Sequence, residues 1–188
     1  MSTLRRNIVR VAVITAAILI IPLVAMLFTD EVNWTFGDFV AMGLLLFGSG
    51  AAFELAASRG NGLIFRGAVG LAVASGLLLT WINLAVGFIG SGANPANALY
   101  GAVIAVGLVG AVSARFEAAG LARTMFAMAL VQFLIPVITL IFWKPLIATE
   151  EPGIAAMFML NGFFVALFIV SGLLFRQASG KRETQATA

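Results

Sequence analysis

"RVAVITAAILIIPLVAMLF", residues 10–28, carries one charge, at its first position, and the next acidic or basic residue is Asp30. A bilayer core about 30 Å thick needs about 20 apolar residues of helix to cross it, and this stretch has that length. Arg5, Arg6 and Arg10 lead into it as they would into a secretory signal. However, the apolar run from Val11 to Phe28 is longer than a signal h-region, and it closes on "LFTDEVNW" with no small-x-small cleavage site. It reads as a retained membrane helix.

The same criterion, applied along the chain, finds six such segments, at about 8–28, 36–58, 63–89, 97–114, 121–143 and 154–175. Short connections such as "SRGNG" and "FEAAG" force consecutive helices to run antiparallel. The expected fold is therefore all-α, a polytopic membrane bundle of six transmembrane helices occupying residues 1–176. The polar end "QASGKRETQATA", residues 177–188, is expected to be a disordered cytoplasmic tail. No segment remains for an extramembrane domain.

An internal echo accompanies this layout. Arg10 to Pro22 and Arg123 to Pro136 have nearly equal spacing, and "FRGAVGLAVASGLLLTWINL" repeats the Arg-led opening with Thr80 where the proline would fall. Three tandem helical hairpins would produce the pattern, and so would the shared demands of crossing in one direction; the second source is the simpler. Each proline should kink its helix, because it removes a backbone donor and crowds the preceding turn.

Composition excludes most chemistry. The 188 residues are 62% hydrophobic and 10% charged, with mean hydropathy +1.09, whereas soluble domains are about 25% charged. Lipid is the natural solvent. With no cysteine there are no disulfides, thiolate nucleophiles or Cys-type metal sites, and with no histidine the commonest zinc and haem ligand is missing too. No cofactor or metal is expected, and no enzymatic activity. "WTFGDF" and "GSGAN" lack the lysine and Ser/Thr of a phosphate loop.

Orientation follows from where the basic residues sit. With the N terminus cytoplasmic, Arg5, Arg6, Arg10, Arg59, Arg66, Arg115, Arg123, Arg176, Lys181 and Arg182 fall inside and only Lys144 outside. The acids Asp30, Glu31, Asp38, Glu150 and Glu151 fall outside, and Trp34, Trp81 and Trp143 fall near the outer interface. A bacterial-type inner membrane, both termini cytoplasmic, is the expected location. The positive charge then faces anionic lipid, and nucleic acid is not an expected partner.

Three groups of residues stand out. Small residues recur at four-residue spacing: Ala68, Ala72 and Gly76; Gly107 with Ala111; Gly110 with Ala114. They permit close helix packing where lipid supplies no hydrophobic drive, and they predict internal bundle contacts, with Phe163, Phe164 and Phe168 covering the lipid side. Thr80, Asn83, Gln132 and Asn161 form a candidate polar cluster in the outer half of the bundle. Unpaired amides in hydrocarbon are costly, so the cluster is either interhelical glue or a hydrated, ligand-accessible vestibule with Asp38, Asn94 and Asn97 at its mouth. In "NPAN", residues 94–97, Asn97 can cap the fourth helix. Glu54 lies about one turn inside the cytoplasmic end of the second helix, where an interfacial pair with Arg66 or Arg123 is expected to lock two hairpins.

The passages "LLLTWINLAVGFIGSGANPANALY", residues 77–100, and "LNGFFVALFIVSGLLFR", residues 160–176, complete a layout that resembles a loose class of small bacterial six-helix membrane proteins. The resemblance spans nearly the whole chain. It implies the fold and brings no activity or site residues with it. The expected function is an accessory or scaffold subunit of a larger membrane assembly or of a homo-oligomer. The rival is a small transporter or channel for a neutral or weakly polar solute, working through the amide cluster.

Overall fold

The computed structural model describes residues 3–60, 62–90, 94–147 and 153–186. Glu150 and Glu151 lie outside the described residues, as do the side chains of Trp143 and Lys144. Six α-helices follow in order: α1 Thr3–Phe28, α2 Phe36–Ala57, α3 Leu63–Ala85, α4 Tyr100–Ser113, α5 Ala118–Ile147 and α6 Gly153–Ala186. A single 3₁₀ turn, Pro95–Leu99, leads into α4. No strand occurs among the described residues, and all six helices, α4 together with its 3₁₀ turn as Pro95–Ser113, are long and apolar enough to cross a membrane. The fold is an all-α helical bundle of membrane-spanning type.

α1 begins at Thr3 rather than near 8 and α5 runs from Ala118 to Ile147 rather than 121–143, and two further departures bear on the site and the C-terminal end. α3 ends at Ala85 rather than near 89, because the Val86 and Gly87 amides both return to the Ile82 carbonyl and Gly87, at φ 77°, turns the chain out of the helix. α6 continues through Ala186 where a disordered tail was expected. Its last turns are rich in Arg, Gln, Lys, Glu and Ala, all good helix formers, and Gly180 alone weakens them.

The chain divides into two compact units, residues 1–58 and 59–188. The first is the α1–α2 hairpin. Thr35 caps α2 in a reciprocal box with Asp38, and Trp34 packs edge-on against Phe39, 5.2 Å between ring centroids, so an apolar staple brackets the cap. α2 approaches α1 through glycines: a methyl group at Gly50 would stand 2.6 Å from Val11, and one at Gly43 3.4 Å from Leu19.

The second unit is a four-helix bundle in which α3 packs on α6, α6 on α5 and α5 on α4, with a thinner seam between α4 and α3. Small residues make the seams. A Cβ on Gly107 would meet Met128 and one on Gly110 would meet Thr124, closing α4 on α5, while Gly172 presses on Phe126 between α6 and α5. At the α3–α6 seam the Ser171 hydroxyl donates to the Ala68 carbonyl at 3.0 Å. Phe164 and Phe168 are fully buried, contrary to the expectation that they face lipid; only Phe163 does. Phe164 is turned inward by Phe88, whose ring lies 5.6 Å away. Phe65 stacks edge-on with Phe175, 5.5 Å apart, near the Arg-rich end of this unit.

Candidate functional site: buried amides and one buried carboxylate

The connection from α3 to α4 folds inward. Gly87, Phe88, Ile89 and Gly90 are buried, and beyond the Gly87 amide, which returns to Ile82, the amides of Phe88 and Ile89 and the Ile89 carbonyl need partners that no helix ladder provides. Asn97 supplies them. Its Oδ1 accepts from the Phe88 amide at 2.9 Å and the Ile89 amide at 3.0 Å, and its Nδ2 donates to the Ile89 carbonyl at 3.2 Å. One carboxamide thus imitates the edge of a strand. Asn97 was expected to cap the fourth helix, but the N-cap of α4 is Leu99, with no side-chain bond; Asn94 caps the preceding 3₁₀ turn, its Oδ1 accepting from the Ala96 amide at 3.0 Å. Asn83, from α3, reaches the same place and donates to the Asn97 carbonyl at 3.1 Å.

A second assembly lies between α4, α5 and α6. Asn161 Oδ1 accepts from Gln132 Nε2 at 2.9 Å and from the Tyr100 hydroxyl at 3.0 Å, while Asn161 Nδ2 donates to the Met157 carbonyl at 2.8 Å. All three side chains are at most 2% exposed. The Met157 bond fixes which way Asn161 points, and that in turn fixes Gln132, because the reverse placement would oppose two carbonyl oxygens.

The expected cluster of Thr80, Asn83, Gln132 and Asn161 is therefore divided. Gln132 and Asn161 meet directly; Asn83 serves the α3–α4 connection; the Thr80 hydroxyl returns to the Gly76 carbonyl of its own helix at 2.8 Å. Tyr100 is the member that sequence reasoning missed. As the chain's single tyrosine, at the start of an otherwise apolar span, it carried a signal, since a buried phenol needs a partner for its hydroxyl. Asp38, expected at the mouth of a vestibule, belongs to the other unit and caps α2.

Glu54 is buried in the hairpin unit, and where Arg66 or Arg123 was expected as its partner the hairpin itself supplies two. Arg10 Nη2 donates to its Oε1 at 2.6 Å and Asn7 Nδ2 to its Oε2 at 2.8 Å. The partner comes from α1 because α1 is the antiparallel neighbour of α2, and Asn7 and Arg10, three residues apart, share one face. Arg10 keeps 60% of its side chain exposed, so its charge reaches the surface while its donor reaches inward.

Two polar atoms complete the inventory. Asn83 Oδ1 and Gln132 Oε1 are buried and accept no hydrogen bond from the described residues. Among those residues no group of three acidic, His or Cys side chains is placed to hold a metal ion. No protein-family model, no curated protein and no solved structure matches the chain. The six apolar helices agree with the six-helix layout of the class that the sequence resembles.

Proposed function

We propose that this chain is a non-enzymatic integral membrane protein, an accessory or scaffold subunit that packs laterally in a larger membrane assembly. The observation that carries this reading is the use made of the polar side chains. Asn97, Asn161, Ser171 and Glu54 each join one helix or connection to another and are buried as they do so. Chemistry on a substrate would need such groups turned toward an accessible space. α1 contains the most apolar membrane-length stretch of the six spans, and it leaves Val13, Ile14, Ile21, Leu27 and Phe28 exposed for lipid or for a partner helix.

The protein resides in a bacterial-type inner membrane with both termini cytoplasmic, its basic end against anionic lipid; the distribution of arginines supports this placement. The transporter reading retains one observation in its favour, the two buried carbonyl oxygens without donors among the described residues. Purification from native membranes in mild detergent separates the two. A stoichiometric protein partner, or a defined oligomer, supports the scaffold; a monodisperse chain that retains a small solute supports the transporter.

A further inference from the structure

Arg115 and Phe116, where α4 ends, both stand at positive φ, 50° and 61°, a region that L side chains enter only at a cost. The turn needs such a backbone: the Arg115 amide returns to the Val112 carbonyl and the Phe116 amide to that of Ala111. It does not need these side chains, because glycine makes the same closure without strain. An arginine and an aromatic ring kept where glycine would fit point to a role for the side chains themselves.

The Phe116 ring has a partner. The guanidinium of Arg59, from the α2–α3 connection, lies over it with Cζ 5.9 Å from the ring centroid. Holding a cation over a ring fixes its place without using its N–H donors. Arg115 directly precedes Phe116, so this contact joins two connections that each carry an arginine. Both arginines are exposed, and neither has a carboxylate partner among the described residues, whose one ion pair is Arg10–Glu54 in the other unit. Arg66 and Arg123 are exposed at the same end, where α3 and α5 begin, and the acids of that end are Glu117 and Glu183. The surface below it is apolar. Val112 and Leu108, one and two turns back along α4 from Arg115, are both largely exposed.

We infer that Arg59 and Arg115 form a seat for the phosphate of one anionic phospholipid, with an acyl chain lying along Leu108 and Val112 of α4. Unpaired cations above a bare apolar stripe match a molecule in which phosphate and hydrocarbon are covalently joined, whereas a free anion has no use for the stripe. This seat rests on the proposed placement of the basic end against anionic lipid, and adds to it one lipid held in preference to the rest of the leaflet. Charge-assisted contacts from two guanidinium groups favour the net negative headgroup of phosphatidylglycerol. They disfavour phosphatidylcholine, whose choline cation they repel.

The test uses the full chain, delipidated in a mild neutral detergent, titrated separately with phosphatidylglycerol and phosphatidylcholine and read by native mass spectrometry. A phosphatidylglycerol adduct should form at concentrations where phosphatidylcholine does not bind. R115G should keep the fold, since glycine suits the turn, and should weaken phosphatidylglycerol binding about tenfold or more, the effect of losing one hydrogen bond to a charged group. F116L leaves the net charge unchanged and should weaken binding several-fold by releasing Arg59. R66Q removes a charge from the same end and should have little effect. Equal binding of the two lipids by the unsubstituted chain overturns the inference, and that arm stands whatever the variants do. Weakening by R66Q equal to that by R115G overturns the seat in favour of diffuse attraction by the whole basic end. Unchanged binding in F116L overturns the part given to the ring. Micelles have no sides, so these results hold whichever way the chain lies in the membrane, and thiol labelling at position 92 tests orientation separately.

Discussion

Replacing Asn97 by leucine removes the one side chain that satisfies the inward-folded α3–α4 connection. Three buried backbone groups, the amides of Phe88 and Ile89 and the carbonyl of Ile89, lose their partners together. A buried polar group left without a partner costs about 1–3 kcal/mol. At the low end of that range the three sum to about 3 kcal/mol, and relaxation of the loop toward headgroup water keeps the loss near that figure. Lipid replaces water around Phe88 and Ile89 if they swing out, so the hydrophobic contribution is small and the polar one dominates. The assay is unfolding in mild detergent titrated with a denaturing one, with Asn83→Leu as comparator. Asn83 contributes one bond, to the Asn97 carbonyl, while its own Oδ1 is already unpartnered, so its removal should cost less than about 1 kcal/mol. Equal effects of the two substitutions, or a loss below about 1 kcal/mol for Asn97→Leu, would refute the clamp.

Two further outcomes follow from the geometry. Glu54→Gln keeps an acceptor for Asn7 but loses the charge that faces Arg10; because Arg10 is more than half exposed, the destabilisation should be about 1 kcal/mol, measured by thermal unfolding, whereas Arg66→Gln should leave the hairpin unaffected. Arg115 sits at φ 50° where α4 ends, its amide bonded to the Val112 carbonyl and that of Phe116 to Ala111, a closure that favours glycine; Arg115→Gly should raise stability by about 1 kcal/mol, and a loss of stability would show that the Arg115 side chain contributes more than the strain it causes.

The six helices were legible because span length and apolar content are local properties, and a continuous apolar run of this length satisfies its backbone in lipid as a helix, whereas barrel strands are shorter and alternate. The glycine seams were legible in part for the same reason: four-residue spacing marks a face, although it does not say which helix that face meets. Partner choice was not legible. Glu54 pairs with Arg10, 44 residues away, because of which helix lies alongside α2, and arginines stood at the inner end of several helices. The inward fold of "GFIG" was hidden for a different reason. An apolar run at the end of a helix resembles more helix, and the side chain that makes the loop possible, Asn97, lies eight residues beyond Ile89. Phe164 and Phe168 were misplaced because aromatic rings suit lipid and core equally, and for Phe164 the choice is made by Phe88 from that same loop.

The buried amides bind helices together and are closed to the outside, and thiol accessibility tests this most directly. The chain has no native cysteine, so single cysteines report without background. An impermeant thiol reagent applied to intact cells should label Gly92→Cys, in the α3–α4 connection, and should leave Gln185→Cys unlabelled. Under the same conditions Asn161→Cys should remain unreactive until the protein is denatured. Rapid labelling of Asn161→Cys in folded protein, at a rate near that of Gly92→Cys, would contradict the account and make a solute pathway through the four-helix unit the better description.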